Sequence, residues 1–302
     1  MPKSKPQTFS PMAVSVAQKL TKALGARIVK SRALPGGDIA DVSLLTLDNH
    51  TEVVAKRPRS DQPDTTAVEA MMLRHLTVKS TLPVPKILFQ SKGILVMGFI
   101  PNKGITNPVA AAENIALHVA DLHRVKPKSK QPFYGLDKET VIGPLPQINT
   151  PASNWCDFFT ENRLMAMAQS CMNVSRFDTR FMARVEKLAT ALPNLLPATP
   201  ESSLLHGDLW AGNMLVDGDK AVGFIDPAIS YGHREMDLAF MALMGGLDPA
   251  FFDAYHAAYP LDAGFHEERK PLYQLWPLLV HLRLFGSGYQ HQVESILEQF
   301  GC

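Results

Sequence analysis

Three side chains late in the chain have the types and spacing that phosphoryl transfer requires. Asp208 and Asn213 stand five positions apart in the stretch His206-Gly207-Asp208-Leu209-Trp210-Ala211-Gly212-Asn213, and Asp226 follows in Phe224-Ile225-Asp226-Pro227. In a D-x-x-x-x-N loop the carboxylate accepts the proton of an attacking hydroxyl, and the amide holds a magnesium ion. A second carboxylate placed two short strand-like runs later is positioned to carry the metal that bridges the phosphates. Oxygen donors of this kind suit Mg2+, which takes one or two carboxylates together with phosphate oxygens. Any one of the three alone reads as a turn or cap residue. Together, led by His206-Gly207, they predict an ATP-dependent phosphotransferase, with Asp208 as catalytic base and Asn213 and Asp226 as metal ligands.

The surrounding pattern says how these groups are held. Met214-Leu215-Val216 and Val222-Gly223-Phe224-Ile225 are strand runs around an Asp217-Gly218-Asp219 turn. Asp208 and Asn213 therefore fall on the loop before one strand, and Asp226 at the end of its partner. Further upstream, residues 27–55 take a strand-like period with turns at Pro35-Gly36-Gly37 and Asp48-Asn49-His50. A three-strand antiparallel meander of this kind could lay the N–H groups of Gly36 and Gly37 over phosphates, or the two glycines could simply make a turn. Lys56 ends the third strand as V-V-A-K, close to the V-A-I-K pattern whose lysine pairs the α- and β-phosphates. An exposed strand-end lysine beside Arg57 and Arg59 is the plainer reading. Glu69, on the helix that begins near Asp64-Thr65-Thr66, would either orient Lys56 or close a Thr66–Glu69 capping box. Spacing leaves both open.

The rest of the chain reads as scaffold. Ser10-Pro11 starts an amphipathic helix with Val16, Ala17, Leu20 and Leu24 on one face. Runs at 84–89 and 93–97 form a further hairpin, and Met97, Gly98 and Phe99 lie where the chain would cross between lobes and meet an adenine edge. Asn107-Pro108 opens a helix whose stripe is Ala112, Ile115, Ala116, Val119 and Leu122. His118 and His123, five apart, share no face as metal ligands would and read as structural or solvent-facing. Residues 126–153 make a long loop rich in Pro, Gly and polar residues, a place for substrate contact. Helices follow at 155–172 and 176–192, and the chain from Tyr231 to Cys302 is helical in pattern.

Composition excludes several classes of function. The 302 residues carry 30 Lys plus Arg against 29 Asp plus Glu, a net charge of +1, so no broad field draws in nucleic acid or an anionic membrane. Three widely spaced cysteines, Cys156, Cys171 and Cys302, make neither a disulfide framework nor a metal spacing. No apolar run is long enough to span a bilayer or to act as a signal peptide, so a cytoplasmic protein is expected.

With HGDLWAGN at 206–213, FIDPAISYGHREMDLA at 224–239, AYHAAYPLD at 254–262 and YQLWPLLVHLRLFGSGY at 273–289 all in order, the chain resembles the fructosamine kinase (ketosamine-3-kinase) family. That family lies within the aminoglycoside-phosphotransferase-like, protein-kinase-like enzymes, and the resemblance runs from about Gly36-Gly37 to Tyr289. It implies an α+β, two-lobe fold: a small antiparallel-sheet lobe over 1–97, a linker at 98–101 and a larger, mainly helical lobe over 102–302. The implied reaction is ATP- and Mg2+-dependent phosphorylation of the 3-hydroxyl of a ketosamine (fructosamine or ribulosamine, free or protein-bound), whose labile product sheds the sugar. Lys56 would hold phosphates, Glu69 would orient Lys56, and Trp210 is similar to the family's aromatic beside the sugar. Tyr231, His233, Arg234 and Glu235 would serve on the substrate side or hold the loop, and Asp237 resembles the aspartate that braces the catalytic loop. One departure stands out: Asp38 follows Gly36-Gly37 where some relatives carry a cysteine, so cysteine-based redox control is absent and an extra carboxylate sits near the expected phosphates.

Other readings compete. An aminoglycoside, choline or sugar kinase of the same fold is disfavoured by Trp210 and the Tyr231–Glu235 segment. A non-catalytic nucleotide-binding protein is disfavoured by the intact set Lys56, Asp208, Asn213 and Asp226. A protein kinase is disfavoured because no A-P-E element or activation loop follows Asp226.

Overall fold

The computed structural model describes residues 14–35, 40–129, 131–176 and 178–302. The Ser10-Pro11 helix start and the Gly36-Gly37-Asp38 turn lie outside these. The chain forms two compact units, one of residues 1–71 with 85–100 and one of 72–84 with 101–302.

The first unit is an antiparallel sheet with a helix on one face. Helix α1 (Val14–Leu24) is followed by β1 (Ile28–Ala33), β2 (Ala40–Leu47), β3 (Glu52–Pro58), the first turns of α2 (Thr66–Lys79), whose residues from Met72 on belong to the second unit, β4 (Ile87–Ser91) and β5 (Ile94–Gly98). The strands pair in the order β1-β2-β3-β5-β4. Leu45, Leu47, Val53, Ala55, Ile94 and Val96 point to one face and close over Leu20 of α1. Alternation along β3 puts Lys56 on the opposite face from Val53 and Ala55, because successive strand side chains point to opposite sides. Lys56 sits between Val42 of β2 and Leu95 of β5.

Residues 72–84 belong with the second unit, although the linear boundaries assign them to the first lobe. The Phe224 N–H donates to the Pro83 carbonyl at 2.7 Å, and the His75 ring meets Tyr231 edge-on. The second unit continues with β6 (Gly104–Ile105) and α3 (Pro108–His123), whose N-cap Asn107 accepts the Ala110 N–H at 3.2 Å. Within the long 126–153 loop stands a hairpin of β7 (Thr140–Ile142) and β8 (Leu145–Gln147). The next helical stretch comprises α4 (Trp155–Phe159), a π-helical turn at Thr160–Met165 and α5 (Ala166–Met172), followed by α6 (Thr179–Ala191).

Then come β9 (Ser202–Leu205), β10 (Met214–Gly218), β11 (Lys220–Phe224), β12 (Ser230–His233), α7 (Glu235–Met244), α8 (Ala250–Ala258), α9 (Lys270–Phe285) and α10 (Gln290–Gln299). Helix α9 is apolar nearly all round and is packed by α5, α7 and α10, as a helix without a polar face must be. The helical reading from Tyr231 onward needs one correction. Residues 230–233 are a strand, pairing Tyr231 with Leu204 and His233 with Ser202. Four residues are too few to show a period, and their partner strand is distant in sequence.

Candidate active site

In the second unit, β9 leads into the loop of residues 206–213. Gly207 turns there at φ +82°, and a Cβ on it would fall 1.9 Å from the Ala228 carbonyl oxygen. Only glycine fits such an approach with such a backbone. The Asp237 carboxylate braces this turn from below: one oxygen accepts the His206 N–H at 2.7 Å, the other the Gly207 N–H at 2.9 Å. His123, fully buried, supplies a third donor to Asp237 at 3.1 Å through Nε2, while its Nδ1 lies 2.8 Å from the Tyr255 hydroxyl. Burial holds His123 below the usual histidine range despite the carboxylate. The neutral ring satisfies both contacts, with Nε2–H donating to Asp237 and Nδ1 accepting from Tyr255. Burial lowers His206 as well. The sequence leaves His123 as structural or solvent-facing; its position at the end of a buried helical stripe is the one available signal.

Asn213 and Asp208 come together as the spacing predicts. The Asn213 Nδ2 group donates to the Asp208 backbone carbonyl at 2.9 Å and to its Oδ2 at 2.8 Å. A carbonyl can only accept, so the amide nitrogen must face Asp208, and the Asn213 Oδ1 is the atom left for a cation. The Ile225 N–H donates to the Asn213 carbonyl at 3.0 Å, which ties the residue before Asp226 to the same loop. Asp226 itself adopts φ +53°, a left-handed conformation that costs a non-glycine residue roughly 1–3 kcal/mol and marks functional sites. An amide oxygen and carboxylates from two loops fit the hard-oxygen preference of Mg2+.

Trp210 lies over its own loop. A Cβ on Gly212 would fall 2.2–2.5 Å from three atoms of the indole ring, so the ring packs flat against the Gly212 backbone while staying half-buried.

In the first unit, Lys56 Nζ is 2.9 Å from Glu69 Oε2, both largely removed from solvent. The capping-box alternative is not what forms: the Thr66 hydroxyl donates to Asp64 at 2.6 Å, and the Glu69 N–H donates to the Thr65 carbonyl at 2.9 Å. Met97 pairs with Val54 and Ile87. The Gly98 N–H donates to the Lys86 carbonyl at 2.9 Å and the Phe99 N–H to the Glu52 carbonyl at 3.4 Å, so both donors are engaged at the end of β5.

Tyr231, His233, Arg234 and Glu235, expected on the substrate side or in loop-holding roles, are all buried. Glu235 takes a two-point contact from Arg269 at 2.7 and 2.8 Å. Arg234 donates to the carbonyls of Tyr259 and Pro260 and stacks 3.8 Å over the Tyr259 ring. The Trp155 indole N–H donates to the Tyr273 hydroxyl at 2.9 Å, which in turn donates to His233 Nδ1 at 2.8 Å. Burial and the charges of Arg269 and Arg234 push His233 well below its ordinary value. Tyr231 packs edge-on against His75 and Phe133. Among the described residues, no helix is long and apolar enough to cross a membrane.

This fold and this loop geometry define an ATP-dependent phosphotransferase of the kinase-like class. The fructosamine kinase family model matches residues 12–301. A probable ketoamine kinase of Escherichia coli K12, YniA, is 34% identical over 284 residues, covering 92% of this chain and 95% of the relative. The chloroplastic protein-ribulosamine 3-kinase of Arabidopsis thaliana is 31% identical over 289 residues, covering 93% and 85%. The crystal structure of a Thermobifida fusca protein bearing the fructosamine-3-kinase name superposes with a TM-score of 0.82 at 31% identity, covering 94% of this chain and 97% of that one. The chain belongs to the fructosamine kinase family.

Proposed function

We propose that this protein transfers the γ-phosphoryl group of ATP to the 3-hydroxyl of a ketosamine, free or attached to a protein amine, giving a labile 3-phosphate that releases the sugar. The Asp208–Asn213 contact, in a loop braced by Asp237, carries this reading. The substrate class comes from relatives named as ketoamine and ribulosamine kinases. As the acceptor oxygen bonds to the γ-phosphorus and the bond to the β–γ bridging oxygen breaks, the Asp208 carboxylate takes the hydroxyl proton. In a loose transition state that proton leaves late, so the carboxylate needs aim more than basicity. The Asn213 amide supplies the aim. When bound, magnesium would neutralise charge on the phosphate oxygens, held by Asn213 Oδ1 and the Asp226 carboxylate.

Lys56, kept in place by Glu69, would pair the α- and β-phosphates. Gly36 and Gly37 would add backbone donors, and Met97, Gly98 and Phe99 would line the adenine. The Trp210 ring offers an apolar face to a sugar. Tyr231, His233, Arg234 and Glu235 hold the loop's surroundings rather than the substrate. The test is ADP release over a panel of ribulosamines, fructosamines, aminoglycosides and choline. Selective turnover of ketosamines is expected, and aminoglycoside turnover without ketosamine turnover would overturn the reading. Asp208→Asn should abolish turnover while leaving ATP binding nearly intact; near-normal activity in that variant would remove Asp208 from the role of base.

A further inference from the structure

We infer that Gln147, at the end of the β7–β8 hairpin, is a positioning residue for phosphoryl transfer, acting through the Ala228 peptide that lies between the Asp208 loop and Asp226. The inference rests on the reading of Asp208 and Asp226 given above. Gln147 is 3% exposed. Its Nε2 donates to Thr140 Oγ1 at 2.8 Å, to the Ala228 carbonyl at 2.9 Å and, more weakly, to the Ile229 carbonyl at 3.5 Å. Two of these partners are carbonyls, so the amide cannot be turned the other way.

The Ala228 backbone is one of the points where the two halves of the site touch, beside the Ile225–Asn213 bond. Its N–H donates to the His206 carbonyl at 2.7 Å. Its carbonyl oxygen lies against Gly207, where a Cβ would come within 1.9 Å. Ala228 is also two residues past Asp226. Holding this carbonyl therefore helps to set the separation between the backbone carrying the base and the backbone carrying the metal carboxylate, together with the Ile225–Asn213 bond.

The hairpin can serve as an anchor because it is itself held. Asn149 Nδ2 donates to Thr140 Oγ1 at 2.7 Å, and Thr140 Oγ1 donates to the Ile229 carbonyl at 3.3 Å. Arg163, 1% exposed on the π-helical turn, donates to the Ile148 carbonyl and to Asn149 Oδ1 at 2.9 Å. Sequence flags the 126–153 loop only as a place for substrate contact. The structure gives one of its residues a second role, as a support set beneath the catalytic backbone.

Gln147→Met keeps the length and removes the donor. It should lower kcat about 10- to 100-fold with the KM for ATP within about twofold, since a displacement near 1 Å can cost on the order of 100-fold in rate. Hydrogen exchange should quicken in segments 203–214 and 224–232 and stay unchanged in 40–58. A kcat within about threefold of wild type, or unchanged exchange in the two segments, would overturn the inference. Gln147→Glu adds a readout that a space-filling role would not move. The neutral acid can donate to the Ala228 carbonyl and the carboxylate cannot, so its kcat relative to wild type should fall as pH rises; a flat ratio argues against the inference. If wild type turns over no ketosamine, the functional reading fails and the exchange arm still decides Gln147. If wild type is active and Gln147→Met matches it, only the inference fails.

Discussion

Asp237→Asn tests whether the catalytic loop is held as the geometry indicates. The carboxylate accepts from three donors: the backbone N–H groups of His206 and Gly207, and His123 Nε2. Asparagine has one oxygen and one NH2 group. If its oxygen faces His206 and His123, its NH2 faces the Gly207 N–H; turned over, it faces the His206 N–H. In either orientation at least one buried backbone donor meets another donor. An orphaned buried donor costs about 1–3 kcal/mol, and losing the negative charge weakens the remaining bonds, each worth about 1.5–3 kcal/mol when charge-assisted. The total is roughly 3–5 kcal/mol, in the range for breaking a buried charged network. For a unit of this size that lowers the melting temperature by roughly 6–20 °C. Below the transition kcat should fall by on the order of 100-fold, because the Asp208 backbone is no longer fixed. Calorimetry and ADP-release kinetics on the same preparation measure both. A melting temperature within 2 °C or so of wild type, with kcat within about threefold, would refute the bracing argument.

Glu69→Gln leaves Lys56 facing a neutral amide and should raise the KM for ATP about tenfold, equivalent to about 1.4 kcal/mol; an unchanged KM would detach the pair from nucleotide binding. Gly212→Ala places a methyl inside the Trp210 ring volume, so the indole must move. If the ring serves the sugar, kcat/KM for a ketosamine should fall at least about tenfold while ATP affinity holds, and a selective loss of ATP affinity would count against it. Burial depresses the pKa of His123, His206 and His233. Below about pH 6.5 the unfolded chain takes up protons that the folded state refuses, so stability falls as pH drops from 6.5 to 5 and stays flat above 7. The limiting slope is about 1.4 kcal/mol per pH unit for each histidine. Urea midpoints across this range check the sign, and stability rising toward pH 5 would contradict it.

The candidate chemistry was legible because it is written locally. Asp208, Asn213 and Asp226 are separated by one tight loop and one hairpin, so spacing alone brings their backbones together. The strands, the α3 stripe and its Asn107 cap follow from periodicity and turn residues for the same reason. Glu69 shows where that legibility stops. Two local rules offered it two partners, and the placement of α2 against β3 selected Lys56.

Farther-reaching contacts left no mark in the sequence pattern. Glu235 is matched by Arg269, a residue 34 positions away. His123 reaches Asp237 across 114 positions, and Gln147 reaches Ala228 across 81. A buried polar side chain must be paired, but which partner it finds depends on how helices and loops stack. For the same reason the contacts of Tyr231 to Glu235, which the motif offers to substrate or scaffold alike, appear only in the folded chain, where these residues are buried. The sequence by itself determined the class of chemistry and the residues that could perform it, through short-range spacing. Beyond the Asp237 brace that the family resemblance implies, the tertiary structure decided which partners hold those residues still, because that hold is made of hydrogen bonds between segments far apart in the chain.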